Sequence, residues 1–129
     1  MEQNLEEGSQ KQKCHLFQIM AIIGKKWTIA ILQQIDINGY KGYNFMLKEL
    51  GKISSKVLCE RLIELENSSL IKRSVIADKR PVSTSYSLTE KGRDMLKIID
   101  SLRMWNNKYH SEELNGQCDK NICAKCKLY

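Results

Sequence analysis

The 129-residue sequence predicts a mainly α-helical domain carrying one small β-hairpin, an α+β arrangement, and three observations lead to it. Leu58, Leu62 and Leu65 recur at the i, i+4, i+7 spacing of one buried helix face, with Ser54 placed where an N-cap hydroxyl accepts free backbone N–H groups. A shorter amphipathic segment, Tyr43 to Leu50, precedes that helix across the break Gly51-Lys52, which is the spacing of a helix-turn-helix. Beyond Asn67-Ser68-Ser69 the period changes from 3.6 to two on both sides of a charged tip, the pattern of a β-hairpin.

Residues 1–12 are polar and aperiodic and are expected to form a flexible arm ahead of a domain spanning 13–110, with a cysteine-containing tail at 111–129. From Cys14 to Ile23, Phe17, Met20 and Ile23 repeat at three-residue steps beside Ile19 and Ile22, giving a helix with a broad apolar face. Gly24-Lys25-Lys26 breaks it. The next segment, Trp27 to Ile35, is apolar nearly all round and is expected to be the central core helix. Asn38-Gly39-Tyr40-Lys41-Gly42 has turn composition, because glycine and asparagine tolerate positive φ.

In the hairpin, Ile71, Arg73, Val75 and Ala77 alternate with Lys72, Ser74 and Ile76. Past the Asp78-Lys79-Arg80-Pro81 tip, Val82, Thr84, Tyr86 and Leu88 alternate with Ser83, Ser85 and Ser87. Thr89 caps a last helix from Glu90 to about Tyr109, in which Met95, Ile98, Leu102, Trp105 and Tyr109 step by 3, 4, 3 and 4. With Leu96 and Ile99 widening that stripe, a two-fold dimer is expected through this helix and the Phe17 and Met20 face of the first.

Charge points to an anionic partner. Lys and Arg total 21 against 15 Asp and Glu, and the first ten residues hold Glu2, Glu6 and Glu7 without a base, so the remainder carries 21 bases against 12 acids, +9. No apolar run approaches the roughly 20 residues of a membrane span, and the acidic start lacks a signal-peptide pattern, so a cytoplasmic protein is expected. Catalysis is the least supported class: there is no phosphate loop or dinucleotide fingerprint, and the only histidines are His15 and His110.

Cys14, the Gly24-Lys25-Lys26-Trp27-Thr28-Ile29-Ala30-Ile31-Leu32 segment, Ile53 to Glu66, Leu70-Ile71-Lys72-Arg73, Tyr86-Ser87-Leu88-Thr89-Glu90-Lys91-Gly92 and Trp105 occur in an order and spacing that resembles the HxlR-type family of winged helix-turn-helix transcriptional regulators, in the MarR-like superfamily. The match covers Cys14 to about Trp105. The resemblance implies a homodimer on a pseudo-palindromic double-stranded DNA site, the second helix in the major groove and the hairpin on the backbone. By position it puts Ser54, Ser55, Lys56 and Arg61 on the recognition helix, Arg73, Lys79 and Arg80 on the wing, and Trp27 in the core. Three positions depart from the pattern. Tyr43 stands where the family has an Arg-Phe pair, Ser69 where it has glycine, and Ser85 where it has an acid.

Chemically, Lys56 can donate to a guanine edge or a phosphate, the two serines to either, and Glu60 can accept from cytosine N4, whereas Arg73, Lys79 and Arg80 suit phosphates. Cys59 shares the groove face with Lys56 and Glu60. In some members of the resembled family a cysteine near the position of Cys14 senses oxidants or electrophiles, which makes Cys14 one redox candidate; Cys59 is the other, because oxidation or alkylation on the groove face would add bulk against DNA. No cofactor is required. Cys118, Cys123 and Cys126 can nevertheless supply three ligands to zinc or an iron–sulfur cluster, form a disulfide, or stay free. A winged-helix protein-interaction or assembly module with no operator is the alternative reading, and neither reading names an effector.

Overall fold

The computed structural model describes residues 14–39, 42–76, 78 and 83–110. Five helices and one hairpin follow in the order α1 (His15–Ile23), α2 (Thr28–Asn38), α3 (Tyr43–Leu50), α4 (Ser55–Asn67), β1 (Ile71–Ile76), β2 (Ser83–Leu88) and α5 (Glu90–His110). The element types and order agree with the expectation from the sequence. The 1–12 arm and the 111–129 tail, with Cys118, Cys123 and Cys126, lie outside the described residues, as do Lys79 and Arg80 at the wing tip.

α2 is the centre of the core. Ala30, Ile31, Leu32 and Ile35 are buried on it, and so are the polar Thr28, Gln33 and Gln34, because other elements surround the helix on all sides. It runs to Asn38, three residues beyond the predicted segment, before Gly39 at φ 65° ends it. Its N-cap is Trp27, whose φ of 79° is left-handed, a conformation that a bulky side chain adopts only when its surroundings compel it. Burial of the indole supplies that compulsion, and the Lys26 ammonium lies 5.6 Å from the ring centroid.

α3 follows with the residue ahead of it fixed to the sheet: Gly42 bridges Ser85, and a Cβ at Gly42 would stand 2.7 Å from the Thr84 carbonyl oxygen. Only a residue without a side chain lets the backbones meet so closely. Ile71 pairs with Leu88 and Ile76 with Ser83 in an antiparallel register. Ile71 and Tyr86 are buried at the root of the hairpin, but Val75 is exposed, so the alternation read from the sequence does not separate a core face from a solvent face along the whole ribbon. The strands outrun the core and become a wing.

α4 ends in a Schellman arrangement: the Leu70 N–H donates to the Leu65 carbonyl and the Ser69 N–H to the Glu66 carbonyl, both at 3.0 Å. Ser69 takes the left-handed conformation, φ 61°, that glycine would occupy without strain. Thr89 caps α5 as expected, its Oγ1 accepting from the Gly92 N–H at 3.0 Å while its hydroxyl donates to the Ser69 carbonyl. One side of α5 closes the core through Leu96 and Ile99. Among the described residues no single helix is long and apolar enough to cross a membrane; α1 and α2 reach that composition only together, bent by 77° at their break.

Candidate nucleic-acid interface

The interface is organised by α4, whose position is set from three directions. Its inner face is Leu58, Leu62 and Leu65, all within 3% of complete burial. Its start is capped by Ser54, whose Oγ accepts from the Val57 N–H at 3.1 Å. The Tyr43 hydroxyl lies 2.9 Å from both the carbonyl oxygen and the Oγ of Ser55, tying α3 to the first turn of α4. Tyr43 therefore acts as a strut between the two helices of the motif.

The opposite flank is held by charge. Arg61 donates from Nε to the Lys26 carbonyl and from Nη1 to Glu64 Oε1, both at 3.2 Å, and Lys25 Nζ reaches the same carboxylate oxygen at 2.8 Å. Isolated surface pairs of this kind contribute about 0–1 kcal/mol, but here they fix the roll of α4 against the α1–α2 connection. Arg61 thus differs from its expected place among outward-facing contacts: its guanidinium is half-buried and directed at its own chain, because its partner lies 35 residues away in sequence.

Between these tethers Lys56, Glu60 and Ile63 stand exposed on one ridge. Ser54 and Ser55 are exposed at its N-terminal end. Cys59 is exposed at the ridge's edge, lining an open cleft of about 530 Å³ with Tyr43, Arg73, Thr84 and Tyr86. Arg73 sits opposite Tyr86 across the hairpin. Burial pushes the Tyr86 phenol above its usual value of 10.0, opposed by the Arg73 guanidinium, which also hydrogen-bonds to it. Ser54, Ser55, Lys56, Cys59, Glu60 and Arg73 are therefore brought to one side of the molecule, and Arg61 is withdrawn from it.

The residues expected at a dimer interface divide into two groups. Phe17, Met20, Ile98, Leu102, Trp105 and Tyr109 are exposed, from 54% for Met20 to 73% for Phe17, and the Trp105 and Tyr109 rings lie 5.9 Å apart. Ile99 is 6% exposed and belongs to the core with Leu96, and Met95 packs partly against it. This corrects the predicted interface: stripes 100° apart on one helix face different surroundings, and a 3–4 step alone does not say which is covered. Leu16 and Met104 were missed; both are exposed and apolar, beside the predicted seam on α1 and α5. Cys14, also exposed, precedes α1 as a free thiol.

A capped helix free on its outer ridge, preceded by a short helix and followed by a wing, is matched over residues 22–114 by the model of the HxlR-like helix-turn-helix family. The chain belongs to that family. The HTH-type transcriptional regulator YvaP of Bacillus subtilis, itself uncharacterised, is 35% identical over 98 residues, spanning 75% of this chain and 89% of YvaP. The reduced form of the B. subtilis transcriptional regulator YodB superposes with a TM-score of 0.65 at 27% identity, covering 76% of this chain and 95% of YodB. The redox regulator HypR in its oxidised form superposes at 0.62 and 30% identity, covering 74% and 96%. This HxlR-like chain is accordingly a transcriptional regulator of helix-turn-helix type, with the winged fold of the MarR-like proteins.

Proposed function

We propose that this regulator is a homodimer that reads a specific duplex site by laying the outer ridge of α4 in the major groove and its wing along the flanking backbone. The observation that carries this is the state of α4: leucines, a cap and tethers on two flanks immobilise it, while Lys56 and Glu60 remain presented to solvent. In this reading Lys56, Ser54 and Ser55 donate to base edges or phosphates and Glu60 accepts from cytosine N4. Arg73 contacts phosphate together with Lys79 and Arg80, and Arg61 positions α4. The exposed apolar faces of α1 and α5 support pairing of two protomers, which suits a two-fold related pair of half-sites.

The exposed thiols of Cys14 and Cys59, and the description of HypR as a redox regulator, support a response to thiol oxidation or electrophiles. Oxidation of Cys59 would add bulk beside the ridge. Zinc or an iron–sulfur cluster at Cys118, Cys123 and Cys126 is settled by metal analysis of protein purified without chelator.

Selection of bound duplexes from a random pool, in reducing and oxidising buffer, tests the reading. A recovered inverted-repeat site, bound by two chains and lost steeply as salt rises, is the expected result. Lys56→Ala should weaken the selected site more than random DNA, and Arg73→Ala should lower the salt slope by about 0.9 with site preference intact. Failure to enrich any duplex would leave a protein-interaction module.

A further inference from the structure

The ridge of α4 holds a residue that packing within the protomer does not explain. Ile63 is 55% exposed, on the side of the helix opposite Leu58, Leu62 and Leu65. A β-branched side chain gives less helix stability than Lys, Glu or Leu, so at a solvated position it adds nothing to α4. Its neighbours along the ridge are Glu60 one turn back and Lys56 two turns back.

The charge on α4 sharpens the point. The helix carries Lys56 and Arg61 against Glu60, Glu64 and Glu66, and Arg61 is already directed at Glu64 and the Lys26 carbonyl. With Lys25 also paired to Glu64 the bases and acids here balance, so α4 itself gains little from phosphate attraction. What its ridge offers a groove is a donor, an acceptor and one apolar patch. On the base edges of the major groove the matching apolar group is the C5-methyl of thymine.

We infer that Ile63 is a specificity-determining residue that packs on a thymine methyl. The inference rests on the DNA-reading function above and adds the base class that α4 selects. Lys56 and Ile63 are seven residues apart, about 10 Å along the helix axis at ~1.5 Å per residue, which is on the order of three base steps of ~3.4 Å. With α4 lying along the groove, the thymine is expected within about three base pairs of the position met by Lys56.

The test uses the full chain and its selected duplex, with each thymine replaced singly by deoxyuridine, which removes the methyl group alone. The expected result is one position per half-site where replacement weakens binding about fourfold, the affinity conferred by burying one methyl group. In Ile63→Ala that sensitivity disappears while preferences elsewhere persist, and in Ile63→Leu it is partly retained. Alanine is the better helix former, so both variants keep the fold, as an unchanged helix signal would verify. The inference is overturned if no thymine in the native site is sensitive, if the deoxyuridine penalty survives in Ile63→Ala, or if that variant changes the oligomeric mass and so places Ile63 at a protein contact. A chain that selects no duplex overturns the DNA-reading function itself and this inference with it.

Discussion

α4 and α5 are both amphipathic, but they finish their work in different ways. α4 buries three leucines, is closed by a cap at one end and a Schellman turn at the other, and exposes a polar ridge with a single isoleucine. α5 buries Leu96 and Ile99 and then continues for two turns and more with Ile98, Leu102, Met104, Trp105 and Tyr109 in the open. One protomer completes the first helix and leaves the second unfinished. The apolar surface of a domain thus separates into a part that a single chain covers and a part left exposed, which the proposed second copy would cover.

Substitutions can break or sharpen that contrast, and the largest effect should come from the finished side. Leu58→Ala removes a fully buried side chain from α4 and should cost about 2–5 kcal/mol of folding stability, read by denaturant or thermal unfolding. Leu102→Asp on the unfinished side should leave the protomer's helix signal unchanged while shifting sedimentation from two chains to one. Duplex affinity should then fall about 100-fold as the second half-site is lost. If Leu102→Asp unfolds the chain instead, the contrast between the helices fails.

Smaller effects follow at the ends of α4. Ser54→Ala should lower stability by about 1 kcal/mol, because the Val57 N–H loses its acceptor. Ser69→Gly should raise stability by about 0.5–1 kcal/mol by relieving a left-handed φ of 61°. A midpoint shift in unfolding without a change in the denaturant slope would identify both as local effects on the native state.

What could be read from the sequence was local. Ser54, Thr89 and the leucines of α4 announce themselves because a cap and a helix face are decided within a few residues, and Gly39 and Gly51 mark helix ends for the same reason. Non-local relations were hidden. Arg61 reads as a groove contact until the Lys26 carbonyl, 35 residues earlier, is seen to accept from it. Ile99 fits an interface stripe until the core is seen to take it. Trp27 gives no sign in sequence of its positive φ, which burial of its indole in the folded chain compels. Helical spacing alone sets Ile63 opposite the leucines, yet the use proposed for it depends on the charge that pairing leaves around it, and pairing is a property of the folded chain.

The length of α5 has a mechanical consequence for the proposed dimer. Its 21 residues make a rod of about 30 Å, packed on the core through Leu96 and Ile99 in its first half and carrying exposed Leu102, Met104, Trp105 and Tyr109 in its second. At such a radius a tilt of 5° between two protomers displaces the two reading heads relative to each other by about 3 Å, close to the ~3.4 Å rise of one base. Any chemical event that rotates the paired ends slightly would move the two ridges out of step with consecutive major grooves, so control at the seam needs leverage alone and no rearrangement of the heads.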